Sequence, residues 1–199
     1  MTKKTIRPSL IAGPLLFLAG LIGLGVAFFA LKPPQAIVDT GSLVGGPFEL
    51  VDQNGKTFTD KDLSGKPFLV FFGFTQCPDI CPTKLFEISQ VLKLLEEDAP
   101  EVSALFISVD PERDTPDVMK RYVSSFSPKI VGLTGDQAKV DAAVKAYRAY
   151  AKKVPTEGGS YTMDHTSLVY LMNGEGKFVT SLDMSRRDTE IADEIKSRL

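Results

Sequence analysis

The sequence predicts an α/β domain with a mixed central sheet flanked by helices, preceded by one membrane-spanning segment. Three observations lead to this fold class. Apolar runs typical of buried strands alternate with segments of helical periodicity, a hairpin signal lies near each end of that alternation, and an uncharged apolar run precedes it. The length of 199 residues suits one such domain with an appendage.

The apolar run at residues 9–31 predicts a membrane anchor. It contains 23 residues without a charge, enough to cross a hydrocarbon core of about 30 Å. Three basic residues lie before it, so we expect residues 1–8 to stay in the cytoplasm. A cleaved signal peptide is the alternative, but its apolar core is normally only about 7–15 residues long. The Pro- and Gly-rich residues 32–45 then form a linker, and residues 46–199 form the domain.

The first elements of the domain are a hairpin, a buried strand and a helix. Asn54 and Gly55 lie between two short alternating segments, which is a strong hairpin signal. Residues 66–75 form a continuous apolar run, typical of a strand covered on both faces. In the segment that follows, leucine and isoleucine recur at helical spacing. These residues are Leu85, Ile88, Leu92 and Leu95.

The next elements repeat the alternation of strand and helix. Residues 102–110 form a second apolar strand, and Thr115 and Pro116 match the cap and first position of the helix after it. A short third strand over 129–135 precedes a helix over 136–153.

The chain ends with a loop, a hairpin and a helix. Residues 153–164 are polar and contain glycines, which indicates a loop. A closing hairpin over 165–182 turns at Asn173 and Gly174, and residues 188–199 form a terminal helix. These elements together predict the mixed sheet with helices on both faces.

The charge of the domain argues against nucleic acid as a partner. Beyond residue 32 the chain has 19 Lys and Arg against 25 Asp and Glu, a net charge of about −6 with the histidine neutral. Proteins that bind nucleic acid usually carry a basic patch. The acidic surface is compatible with docking onto a basic protein, but a solvated surface explains it equally well.

The two cysteines of the chain, Cys77 and Cys81, lie in the stretch GFTQCPDICPTKL. A disulfide between them would close a loop of only about five residues and stabilise the fold little. They follow the strand over 66–75, and ligands of open α/β sheets bind outside the carboxyl ends of such strands. Pro82 suits a first helical turn, so we expect Cys81 as the cap residue. A helix N-terminus lowers the pKa of a thiol, which favours metal binding or redox chemistry.

A third donor is available in the single histidine, His165. Two thiolates and an imidazole form a soft donor set, which suits copper or zinc, whereas an iron–sulfur cluster generally needs four protein ligands. The spacing of the cysteines is one residue longer than the Cys-x-x-Cys of thioredoxin-like oxidoreductases. Three such ligands would leave zinc with the open position of a catalytic site, but no nearby residue other than Asp79 or Asp164 offers the general base that such an enzyme would need. We therefore favour copper, but the residues alone leave a redox-active dithiol open.

Three blocks of the sequence resemble the signature blocks of the Sco/SenC proteins. The blocks are FFGFTQCPDICPTKL, ISVDPERDTPDVMKRYV and YTMDHTSLVYLMNGEGKFV. The resemblance covers the anchor and essentially all of residues 46–199, in the same order. The pattern Cys-Pro-x-x-Cys-Pro with a distant Asp-His is specific, whereas either half alone would not be.

The resemblance implies a thioredoxin-like fold with an N-terminal anchor and an extra hairpin ahead of the core. It implies one copper ion, Cu(I) or Cu(II), bound by Cys77, Cys81 and His165. Asp164 would orient the site, and Asp110 would lie near the metal loop or have a structural role.

The implied function is assembly of the binuclear copper centre of cytochrome c oxidase subunit II. The chain would deliver copper as a metallochaperone. The alternative is a thiol–disulfide oxidoreductase that reduces the cysteines of that subunit or of another periplasmic copper chaperone, with Cys77 and Cys81 as the redox pair. Whether the chain is an enzyme therefore stays open.

The expected location is a bacterial inner membrane with the domain in the periplasm. No long Arg- and Ser-rich presequence of the mitochondrial kind precedes the apolar run. We expect a single-pass protein with a cytoplasmic N-terminus, and a monomer.

Overall fold

The structure is a computed structural model that describes residues 43–99 and 101–199. The predicted cytoplasmic segment 1–8, the anchor 9–31 and most of the linker lie outside the described residues. Among the helices of the described ranges, none is long and apolar enough to cross a membrane.

The described ranges contain nine strands and four α-helices. The strands are β1 (Glu49–Asp52), β2 (Thr57–Thr59), β3 (Phe68–Gly73), β4 (Ser103–Ser108), β5 (Ile130–Thr134), β6 (Ala151–Pro155), β7 (Tyr161–His165), β8 (Val169–Met172) and β9 (Phe178–Leu182). The helices are α1 (Ile80–Leu95), α2 (Pro116–Val123), α3 (Gln137–Ala146) and α4 (Asp188–Arg198).

Seven strands form one mixed sheet in the order β2-β1-β5-β4-β3-β8-β9. The central strands β3, β4 and β5 are parallel, while β1 and β8 pair with them in antiparallel orientation. The mixed sheet predicted from the sequence is confirmed. Both predicted hairpins are also present, with their turns at Asn54–Gly55 and Asn173–Gly174.

The central strand β3 is fully buried because the sheet is covered on both faces. Successive side chains of a strand point to opposite faces. The ring of Phe71 stacks on Phe106, which in turn contacts Tyr122 of α2. The ring of Phe72 instead contacts Tyr147, the residue after α3. Helices on both faces explain why this strand is a continuous apolar run.

The helices follow the sequence pattern closely. The four residues at helical spacing in α1 are all buried, each at most 1% exposed. Helix α2 begins with Pro116, and the side chain of its cap residue Thr115 accepts a hydrogen bond from the Val118 N–H at 3.4 Å. The prediction of this cap is confirmed.

The helix predicted over 136–153 is present but ends early, and the loop predicted over 153–164 is limited to the residues between two strands. Helix α3 ends at Ala146, and Arg148 has a φ of +53°, the left-handed conformation that ends many helices. The chain then forms β6 and β7, which pair only with each other as an antiparallel hairpin. Helix-forming Ala and Lys residues are in β6 because pairing with β7 overrides their local preference.

Candidate metal centre

The two cysteines lie at the carboxyl end of β3, as predicted. Cys77 is half-buried on the loop after the strand, and Cys81 is fully buried in the first turn of α1. The helix begins at Ile80, so Cys81 is its second residue and not its cap, which corrects the prediction. The cap residue is Asp79. The Cys81 N–H donates to the Cys77 sulfur at 3.3 Å, which shows how the first turn brings the two side chains together.

Gly73, the last residue of β3, makes room for the buried cysteine. A Cβ atom at this position would lie 2.8 Å from Cys81 Sγ and 2.7 Å from a ring carbon of Phe106. Real Cβ contacts are essentially never that short. A side chain here would therefore displace the sulfur or the ring.

His165 is the last residue of β7, and its ring points at Cys81. Its Nδ1 lies 3.0 Å from the Thr166 carbonyl oxygen. A carbonyl can only accept, so in the neutral imidazole Nδ1 carries the hydrogen and Nε2 keeps a lone pair. That Nε2 lies 3.7 Å from Cys81 Sγ. The rings of Phe74 and Phe71 pack edge-on against the imidazole, with centroids 5.7 and 6.3 Å away.

The three donor atoms form a group that could hold one metal ion. The ligand atoms of Cys77, Cys81 and His165 all lie within 4.8 Å of one another. With metal–sulfur and metal–nitrogen bonds of about 2.3 and 2.0 Å, a 120° angle separates sulfur from nitrogen by about 3.7 Å. The observed Cys81–His165 separation of 3.7 Å matches this geometry. Cys77 and His165 line a cavity of about 310 Å³ that opens beside the group.

Burial changes the expected ionisation of Cys81. It raises the pKa of this thiol far above its ordinary range, because a thiolate would lose its hydration. The sequence had predicted a lowered pKa from the helix dipole, and for Cys81 that prediction was wrong. A cation bound between the sulfurs reverses the effect, since a coordinating thiol is deprotonated outright.

A buried carboxylate that no sequence motif singled out supports the loop over residues 74–79, between β3 and α1, which we call the cysteine loop. Asp114 is fully buried and accepts hydrogen bonds from the Thr75 N–H at 3.0 Å, the Thr75 hydroxyl at 2.5 Å and the Ser108 hydroxyl at 2.6 Å. Burial raises the pKa of Asp114, although these hydrogen bonds oppose the shift. Thr75 lies two residues before Cys77, so Asp114 fixes the loop from which that cysteine projects.

Asp110 has a structural role close to the site. Its buried carboxylate is paired with Arg113, and the Tyr161 hydroxyl donates to it at 2.9 Å. Asp164, by contrast, is exposed on β7, while Thr166 holds the histidine ring. The sequence signal for Asp110, Arg113 and Asp114 was their position in the block ISVDPERDTP, but no local pattern shows which segments they contact.

Comparison with known proteins decides the family. The family model described as SCO1/SenC matches residues 38–199. The chain belongs to the SCO1/SenC family. Its thioredoxin-like fold, implied by the resemblance, is confirmed by the solved structures of this family.

Three relatives show how far the similarity extends. The human mitochondrial SCO1 homolog is 42% identical over 160 residues, which cover 79% of this chain and 53% of the human protein. The SCO2-like protein RP587 of Rickettsia prowazekii is 36% identical over 181 residues, covering 84% of this chain and 88% of the relative. The structure of Bradyrhizobium japonicum ScoI with copper bound is 58% identical, with a TM-score of 0.74, and covers 78% of this chain and 99% of that chain. The chain thus spans about half the length of the human relative.

Proposed function

We propose that this chain binds one copper ion through Cys77, Cys81 and His165 and serves assembly of the binuclear copper centre in cytochrome c oxidase subunit II. The observation that carries the proposal is the 3.7 Å separation between Cys81 Sγ and His165 Nε2, two residues 84 positions apart in the chain. Folding places a free imidazole lone pair beside two sulfurs, and thiolate and imidazole donors together suit copper.

The surroundings of the group support copper as cargo to be handed over. Three protein donors would leave a further position open to a ligand from a partner. Two of the donors, Cys77 and His165, line the cavity of about 310 Å³, which gives a partner access to them. The 58% identical ScoI of Bradyrhizobium japonicum has been solved with copper bound.

The proposed location follows from the apolar N-terminal run. Residues 9–31 would anchor the chain in a bacterial inner membrane, with residues 1–8 in the cytoplasm and residues 46–199 in the periplasm. There the domain would meet subunit II, or another periplasmic copper chaperone, as a monomer.

The proposal is tested by copper titration of the reduced full-length chain under anaerobic conditions against a competing chelator. We expect one copper ion per chain. His165→Ala should weaken Cu(II) binding, because one of three donors is lost, and should leave the two thiols able to form a disulfide. The matched control is Lys152→Gln, an exposed residue of β6 that should bind copper as the natural chain does.

Assays of disulfide reduction and of oxidase assembly in cells, made on the same variants, separate the two candidate activities. A natural chain without measurable copper affinity that rapidly reduces a disulfide substrate would contradict the copper proposal and favour the thiol–disulfide oxidoreductase. Loss of oxidase assembly in cells for His165→Ala, with disulfide exchange intact, would instead contradict a role limited to thiol reduction.

A further inference from the structure

We propose that Arg113 is a positioning residue for the three donors: it holds the β6–β7 hairpin against the cysteine loop and so keeps His165 beside the two sulfurs. The inference rests on the proposed copper site, but it concerns contacts that exist without the metal. Arg113 contacts Asp110, Gln76 and Tyr161, and Tyr161 also contacts Asp110; we call this set of contacts the Arg113 bridge.

The hairpin that carries His165 needs such a bridge because it is not part of the main sheet. β6 and β7 form a separate two-stranded sheet. Their backbone pairing fixes the shape of the hairpin but leaves its position relative to β3 to other contacts. Residues 166–168 connect β7 to β8, which pairs with β3, and so keep His165 near the sheet. Isolated two-stranded hairpins are only marginally stable, so side-chain contacts to the rest of the domain are needed to hold the hairpin in one orientation.

Arg113 joins the two ligand-bearing segments through a single terminal nitrogen. Its Nη1 donates to Gln76 Oε1 at 3.1 Å and to the Tyr161 carbonyl oxygen at 3.0 Å. Gln76 directly precedes Cys77, and Tyr161 is the first residue of the strand that ends at His165. The same guanidinium donates through Nε to the buried carboxylate of Asp110. One planar group therefore connects the β4–α2 loop, the cysteine loop and the hairpin.

Ring stacking reinforces these hydrogen bonds. The guanidinium carbon lies 3.8 Å from the centre of the Tyr161 ring and 5.9 Å from that of Phe74. Phe74 is one of the two rings that pack against His165. The Tyr161 hydroxyl also donates to the carboxylate of Asp110, the same group that accepts from Arg113 Nε. Arg113 thus reaches the imidazole through one intervening side chain.

Only an arginine can make this set of contacts. The planar guanidinium offers several donors in a fixed arrangement and stacks on aromatic rings, whereas a lysine is a compact point charge. A second ion pair, Lys153 with Glu112, also connects the hairpin to the β4–α2 loop at 2.5 Å. Both of its side chains are largely exposed, and exposed pairs contribute little. The pair also touches the bridge, because Glu112 lies 3.5 Å from the Tyr161 hydroxyl and Lys153 Nζ lies 4.4 Å from the centre of the Tyr161 ring. The exposed Lys152 of β6 therefore provides the matched control.

The first test compares copper affinities of full-length variants by chelator competition. Arg113→Lys keeps a charge beside Asp110 but loses the stacking and the double hydrogen bond, so we expect copper affinity to fall about 10–100-fold. Lys152→Gln should leave it unchanged. If Arg113 acts through His165, Arg113→Lys should change the affinity by no more than about twofold in a His165→Ala background. A merely structural role would produce the same loss in both backgrounds.

The second test needs no copper. His165 is the only histidine of the chain, so selective isotope labelling gives a single pair of imidazole signals in an NMR spectrum. In the natural chain the nearby Phe74 and Phe71 rings should shift these signals away from free-histidine values. Arg113→Lys should move them toward free-histidine values, and the exposed Lys152→Gln should not. Tyr161→Leu, which removes the stacked ring at a half-buried hairpin position, should reproduce the change if Arg113→Lys fails to fold.

Two results would overturn the inference. One is an unchanged imidazole spectrum in both Arg113→Lys and Tyr161→Leu, and the other is an equal loss of copper affinity with and without His165. Failure of the natural chain to bind copper would refute the proposed function instead, and the copper-free spectra would still decide whether Arg113 positions the histidine.

Discussion

Substitution of Gly73 tests whether the room it leaves for Cys81 matters for the metal centre. In Gly73→Ala the new Cβ would lie 2.8 Å from Cys81 Sγ, and ordinary contact begins at 3.4 Å, so the sulfur would have to move by about 0.6 Å (3.4 minus 2.8). Ligand distances at a metal site tolerate only about 0.2 Å. We expect copper affinity to fall about 10–100-fold, the usual range for a disturbed neighbour of a ligand.

The same substitution should also lower stability. Overpacking of a close-packed core typically costs about 1–3 kcal/mol of the free energy of unfolding. For a chain of this size each kcal/mol lowers Tm by about 2–4 °C. Thermal unfolding followed by circular dichroism measures this loss on the copper-free chain, and chelator competition measures the affinity on the same sample.

Gly132→Ala provides the matched control. Gly132 is in the neighbouring strand β5, where a Cβ would meet a Val123 methyl carbon at 2.9 Å and the Met119 methyl carbon at 3.1 Å, with no metal donor among its nearest atoms. We expect a comparable loss of stability and no change in copper affinity. The reasoning is refuted if Gly73→Ala binds copper like the natural chain, or if both variants lose affinity equally.

Two further predictions concern the scaffold. Burial raises the pKa of the Asp114 carboxyl above 3.8, so the folded state binds the carboxyl proton more tightly than the unfolded state does. The free energy of unfolding should therefore fall as pH rises from about 4 through the raised pKa. Asp114→Asn should lack this decline in urea unfolding measured at several pH values. Asp136→Ala removes the cap that accepts a hydrogen bond from the Lys139 N–H at 2.9 Å, and should cost about 1 kcal/mol in the same assay, whereas the exposed Lys152→Gln should cost almost nothing.

The sequence was sufficient for elements whose signals are local. The apolar run of β3, the Thr115 cap and the two Asn-Gly turns each depend on neighbouring residues, and each is present in the structure. The position of Cys77 and Cys81 beyond the end of β3 follows from a general property of such sheets. The start of α1 was predicted two residues too late, because Pro82 is compatible with several positions of a first turn.

The features that the sequence could not provide depend on distant contacts. Ala151, Lys152 and Lys153 at the start of β6 favour a helix, and pairing with β7 makes them part of a strand. Arg113 is 37 residues from Gln76 and 48 from Tyr161, and no spacing rule connects three such positions. The raised pKa of Cys81 follows from how deeply the folded core covers the sulfur, which a helix-dipole argument does not include.

The unequal burial of the three donors indicates how a copper ion bound there, as we propose, would leave. Cys81 is fully buried beneath Gly73 and Phe106, whereas Cys77 and His165 are half-buried and line the cavity. The cavity gives an incoming thiolate of a partner access to Cys77 and His165. Exchange would therefore replace the Cys77 and His165 bonds first and the Cys81 bond last, because that sulfur has the least access to a competing ligand. Since Arg113 determines how firmly His165 is held at this side, the Arg113 bridge would affect the rate of transfer as well as affinity.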